Sequence, residues 1–268
     1  TELSIKGSVY LDSWNAIYPT ELRSFAPNGN GLANGLFLDN TITGNIDYNP
    51  IFTPFKNENR NSYNLGGGFS QILHKKVQGV LSLDLVQQQG LLSTPFQRVY
   101  FADVADSFIE NFQLADAVEQ LPDSRFKIAF GGRLHWYLSD RFVLRTFYRY
   151  YSDNWGLNSH TANIELPIKL TDKFTVYPSF RYYQQTASNY FRPYETALST
   201  EEFYTSDFDL SKYVANQFGL GVSYTDIFTK ARVWKFGLKR IDLKFYKYDR
   251  DTAFTSSIIT AGFKFEVN

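Results

Sequence analysis

The stretch that most restricts what this chain can fold into is a hairpin pattern between Arg125 and Tyr151. In RFKIAFGGRLHWYL, Phe126, Ile128, Phe130, Leu134, Trp136 and Leu138 fall on one face, and Arg125, Lys127, Arg133, His135 and Tyr137 fall on the other. A strict period of two is the signature of a strand with one apolar and one polar face. After a turn at Ser139-Asp140, RFVLRTFYRYY returns with Phe142, Leu144, Tyr148 and Tyr150 opposed to Arg145, Phe147, Arg149 and Tyr151. Both arms exceed the roughly five or six residues usual in a soluble sheet. A tilted strand of about ten residues is what crosses a bilayer. The pattern therefore predicts an apolar face toward lipid and an arginine-rich face toward a wet interior.

Alternation of the same kind recurs along the chain. It predicts strands over 3–14, 62–73, 77–87, 159–169, 174–184 and 214–225, another through VWKFGLKRIDLKFYKY, and a last one over 257–268. Within VWKFGLKRIDLKFYKY the phase of Trp234, Phe236 and Leu238 inverts at Ile241, Leu243 and Phe245, which predicts a β-bulge near Lys239-Arg240. Short connections at His74–Lys76, Ser139-Asp140, Thr171-Asp172 and Asp226–Ala231 alternate with mostly longer ones at 15–60, 88–124, 152–158, 185–212 and 247–256. That asymmetry is typical of transmembrane barrels, whose long loops are extracellular. The expected fold is all-β: one domain over 1–268, an antiparallel transmembrane β-barrel with about ten strands in this chain. Within 88–124, Val104, Phe108, Phe112 and Ala115 stand at helical spacing ahead of Pro122, predicting a loop helix. A short hairpin is expected near Gly35–Asp47.

Composition agrees with this expectation. Aromatics make up 18% of the chain, with 19 Tyr and 25 Phe, as interfacial girdles require. A mean hydropathy of −0.32 is expected when half of each strand faces a polar lumen. The 27 basic and 27 acidic residues cancel, so net charge selects no partner. With no Cys, there is no disulfide framework and no thiolate chemistry. The lack of Met and of a signal sequence leads us to expect a processed chain, or part of a longer product.

Four stretches carry a resemblance: GLLSTPFQRVYF (90–101), LRTFYRYYSDNWGLNSHT (144–161), FRYYQQTASNYF (180–191) and FYTSDFDLSKY (203–213). Through them the chain resembles a family of outer-membrane β-barrel proteins of unknown function in Gram-negative bacteria, in a form similar to that of the Bacteroidota. The resemblance implies an outer-membrane location. It also implies a preceding N-terminal portion of about six strands, so that this chain is the C-terminal part of a barrel of about sixteen.

Assigning the polar faces to a lumen collects Lys6, Lys127, Arg133, Arg145, Arg149, Lys169, Arg181, Lys235, Lys244 and Lys264 against Asp12, Asp84, Glu165, Asp242 and Glu266. An excess of about five positive charges in a confined space favours anions. Arg133, Arg145, Arg149, Arg181, Lys127, Asp84 and Glu165 form the candidate lumen cluster. Two functions follow. The first is a scaffold in outer-membrane lipid whose loops dock surface lipoproteins or other outer-membrane partners, with the lumen salt-bridged shut. The second is a passive channel for small anions. The segment Ser152–His160 invites a distant third, a hydrolase, but Ser159 and His160 are adjacent and fall on opposite strand faces. A turn capped by Asp153 and Asn154, with Gly156 at positive φ and Trp155 anchored at the membrane interface, is the reading we adopt. His74, His135 and His160 are dispersed, so no metal or cofactor is expected, and neither an enzyme nor a nucleic-acid binder is indicated.

Overall fold

In the computed structural model, residues 1–14, 42–45, 58–94, 96–109, 111–226, 228 and 232–267 are described. Ten long strands dominate: β1 (Glu2–Trp14), β2 (Glu58–His74), β3 (Val77–Gly90), β4 (Ser124–Tyr137), β5 (Val143–Asp153), β6 (Asn158–Glu165), β7 (Phe174–Gln185), β8 (Tyr213–Thr225), β9 (Phe236–Arg250) and β10 (Phe254–Val267). Each pairs antiparallel with its neighbours in sequence, so the sheet is an uninterrupted meander from β1 to β10. Among the described residues no ladder joins β1 to β10.

The alternation sets the register. In β4 and β5, Leu144 lies opposite Trp136, Arg145 opposite His135 and Phe147 opposite Arg133, so like faces stay together. The turn spans Ser139 to Phe142, closed by the Leu138 and Ser139 amides donating to the Phe142 carbonyl at 3.0 and 3.2 Å. The bulge occurs where the phase inversion predicts it: β9 and β10 slip between Leu238 and Arg240, leaving Lys239 as the extra residue. Side chains of the apolar face are widely exposed, including Leu3, Ile5, Phe130, Leu220, Ile259 and Phe263.

The polar face carries a cavity of about 420 Å³, lined from Arg133 on β4 through to Tyr246 on β9. Five strand spacings measure about 24 Å on a flat sheet, so the long polar side chains converge to share it. The apolar face carries another of about 580 Å³, lined from Phe69 on β2 to Ile164 on β6.

Several expectations are corrected. Among the described residues of 88–124 there is no helix; Ser107–Ile109 pairs with Ile42–Gly44 and with Phe112–Gln113, and Arg98–Val99 pairs with Ala117–Val118. Six consecutive residues, Leu114 to Glu119, are buried, which suits an extended segment packed on both sides and not a one-faced helix. The strand expected over 159–169 ends at Glu165, because Pro167 cannot donate to the ladder; Ile168–Lys169 resumes pairing with β7. Of the hairpin expected near Gly35–Asp47, residues 35–41 and 46–47 lie outside the described residues; Ile42–Gly44 pairs with Ser107–Ile109. Trp155 is not an interface anchor. It is 2% exposed and its indole nitrogen donates to the Ser124 carbonyl at 3.0 Å.

The connections 91–123 and 186–212 fold together over one end of the sheet, with the tight turn at 154–157, into what we term the cap. One apolar cluster joins Val99, Phe101 and Ala117 to Ala197 and Tyr204. Another joins Leu92, Leu121 and Trp155, with Tyr190 and Leu210 against it.

Candidate functional site

Register arranges the polar face in rows that cross five or six strands. One row runs His135, Arg145, Glu165, Ser179, Gly219, Tyr246; the next, toward the cap, runs Arg133, Phe147, Asn163, Arg181, Gln217, Tyr248. The third runs Gly131, Arg149, Thr161, Tyr183, Ala215, Arg250. Side chains in a row stand about 5 Å from their neighbours, which is why residues so dispersed in sequence meet. Gly219 serves this packing: a Cβ there would lie 2.6 Å from the Tyr246 ring and would also overlap the Ser179 hydroxyl. Its absence lets Tyr246 lie flat toward the arginines.

Three cavities follow the rows. The 420 Å³ cavity already described holds Arg133, His135, Arg145, Glu165 and Arg181. A second of about 420 Å³ lies at the cap end, with Arg125, Arg149, Arg181 and Arg250 in its wall. A smaller one of about 230 Å³ is lined by Arg181, Tyr183, Tyr213 and Tyr248. Arg181 belongs to all three.

The cations differ in how they are satisfied. Arg145 pairs with Glu165 at 2.9 Å, Arg240 with Asp242 at 2.7 Å, and Arg250 with Asp209 at 2.9 Å while stacking on Tyr213 at 4.0 Å. Arg125 pairs with Asp153 at 2.5 Å and stacks on Trp155 at 4.3 Å. Arg133 lies over the Phe147 ring at 5.3 Å. No ion pair forms at Arg133, Arg149 or Arg181 among the described residues.

Of the candidate cluster, Arg133, Arg145, Arg181 and Glu165 share one cavity and Arg149 joins Arg181 in the next. Asp84 is also on the polar face, but its carboxylate lies against Gly66, where a Cβ would be 2.9 Å away. That close approach is possible because Gly66 has no side chain. Lys127 lies opposite Asp153, whose carboxylate is taken by Arg125. Lys169 pairs with Asp172 at 3.0 Å in the β6–β7 turn. Lys235 does not stand on a strand: it follows Trp234, which has φ 56°, and stacks on that indole at 5.3 Å.

The segment Ser152–His160 forms a tight turn between β5 and β6. Asp153 accepts the Trp155 and Leu157 amides at 3.0 Å each through one oxygen and Tyr151 and Arg125 through the other, and Gly156 has φ 83°. Ser159 lies in the row of Tyr151 and Gln185 on the polar face, whereas His160 lies on the apolar face, bonded to the Tyr148 hydroxyl at 2.7 Å. No cluster of three or more metal-ligating side chains occurs among the described residues.

Arg125, Arg250, Asp153 and Asp209 were not in the candidate cluster. Arg125 is visible in the hairpin phase, and Arg250 shares phase with Lys244. Asp209, in a loop distant in sequence, gave no signal.

In the cap, burial pushes the Glu119 carboxyl up to about 7, although it accepts the Thr94 amide at 2.7 Å and the Thr205 hydroxyl. Burial also raises Asp116, which accepts the Phe101 amide at 2.8 Å. The Arg192 guanidinium holds Glu201 below the usual carboxylate range.

A family model described as "Protein of unknown function (DUF3570)" matches residues 23–249. The chain belongs to this family. Comparison with curated proteins finds no match. All four stretches that carried the resemblance lie in the matched span, and they converge at the capped end. Val99, Trp155, Ser188 and Tyr204, one from each, are buried there.

Proposed function

We propose that this chain is part of an outer-membrane β-barrel of a Gram-negative bacterium and that its polar face lines a passage for small anions. The observation that carries this reading is the incomplete neutralisation of the polar face. Arg145 has its acid, but Arg133, Arg149 and Arg181 have none among the described residues. A lumen salt-bridged shut for a scaffold needs each of these guanidiniums paired, because unpaired like charges in a confined space repel. A lumen that admits anions leaves some free, with counter-charge supplied by the solute. Exposure of the opposite, apolar face supports immersion in lipid, since soluble monomers rarely expose contiguous apolar patches beyond a few hundred Å².

Planar-bilayer recording of the purified chain tests the reading. A stable conductance that prefers chloride over potassium is expected, with Arg133→Gln lowering that preference. A protein that inserts yet shows no open level removes the passage. The scaffold reading has one observation in its favour, the cap, whose own apolar core makes it a firm platform for a surface partner. It takes over if the inserted protein is silent.

A further inference from the structure

The cavity at the capped end holds four guanidiniums, and two are already committed. Arg125 is tied to Asp153 and Arg250 to Asp209. Arg149 and Arg181 are not tied, and β6, which runs between their strands, offers only uncharged donors: Thr161 in the row of Arg149 and Asn163 in the row of Arg181. Four positive charges against two negative ones leave a local surplus of two. The Cα atoms of Arg149 and Arg181 are two strands and two residues apart, about 12 Å. Two extended arginine side chains can therefore address one small group placed between them.

A monoanion leaves half of that surplus unanswered. A phosphate group carries about −1.5 to −2 at pH 7 and presents three strong acceptor oxygens, enough for two guanidinium forks and a hydroxyl. We propose that this cavity is a binding site for phosphate, free or as the monoester of a soluble solute, held between Arg149 and Arg181 with Thr161 as a third donor. The proposal rests on the reading of the polar face as an aqueous interior and names the class of anion that reading left open. Arg181 also lines the two neighbouring cavities, so an anion leaving the site keeps one ligand as it moves on.

The test is calorimetric titration of the full chain, in a detergent without phosphate, with inorganic phosphate. Saturable binding is expected, weakened about tenfold or more in Arg149→Gln and in Arg181→Gln. Arg149→Lys, which keeps the charge and loses the planar fork, is expected between wild type and Arg149→Gln, and it decides the matter if the glutamine variant does not fold. Lys76→Gln, in the turn at the opposite end, is expected to bind as wild type. Absence of saturable binding overturns the proposal, as does unchanged affinity in Arg149→Lys and Arg181→Gln. Phosphatidic acid vesicles are expected not to compete; competition assigns the site to a lipid headgroup and overturns the soluble-solute assignment. Conductance is recorded in parallel. Phosphate binding without conductance removes the passage and leaves the site, whereas anion-selective conductance without saturable phosphate binding removes the site and leaves the passage.

Discussion

The sheet and the cap solve opposite problems with the same kinds of residue. In the sheet, Leu220, Ile259 and Phe263 point away from the protein, and the inward face is polar. In the cap, Val99, Phe101, Trp155 and Tyr204 point inward and are almost fully buried. The buried apolar side chains of the described residues belong mostly to connections, not to the long strands. One chain thus follows the ordinary rule for water at its end and reverses it along its strands. On the proposed reading the two regions face two solvents, lipid along the strands and water at the cap, and each exposure pattern suits only its own surroundings.

The largest effect that sharpens the comparison is expected in the cap. Trp155→Ala removes a ring packed edge-on against Tyr190 at 5.8 Å, stacked under Arg125 and hydrogen-bonded to Ser124. A loss of about 3–5 kcal/mol is expected, read as thermal unfolding of the cap and protease cleavage within 91–123 or 186–212. Persistence of cap protection in that variant would mean the clusters do not hold it.

A smaller effect probes the sheet. Leu220→Arg places a charge halfway along β8 on the exposed apolar face and is expected to cost about 2–4 kcal/mol when the protein folds into a bilayer. On a water-exposed face the same change falls within about 0.5 kcal/mol. Folding equilibria in vesicles decide between these values, and the lower one breaks the comparison.

The smallest effect is one of pH. Glu119 has a folded pKa of about 7 against an ordinary value of 4.5, so the folded cap binds more protons between those values. Stability of the cap therefore falls as pH rises through about 4.5 to 7 and is level above, by on the order of 1–3 kcal/mol in all. Glu119→Gln is expected to flatten this slope, as followed by cap melting at pH 5 and pH 8. A slope unchanged in the variant would assign the titration to another group, Asp116 first.

The sequence made the sheet legible and the cap almost illegible, for a physical reason. Period-two alternation arises because a strand between unlike solvents must sort its side chains, so β4, β5 and even the extra residue Lys239 could be found from phase alone. Cap segments are extended and buried on both sides, as at Leu114–Glu119, and such segments have no period to read. The helical spacing of Val104, Phe108 and Phe112 was therefore coincidence. The site was half legible. Arg133, Arg145, Arg149 and Arg181 followed from phase, as did Glu165, the acid that pairs with Arg145; the neutralisation of Arg125 and Arg250 did not, because Asp153 and Asp209 are placed by a turn and a loop.

The hydrogen bonds that fasten the cap also set an order of events during folding. Among the described residues each strand of the meander pairs only with its sequence neighbours, so hairpins can close one after another with little loop entropy to overcome. Glu119 must wait for Thr205, 86 residues on, and the Arg98 carbonyl for Ser206, 108 residues on. The end of the sheet therefore stays uncovered until β7 has formed and the connection beyond it has emerged, and sealing is among the last steps the chain completes.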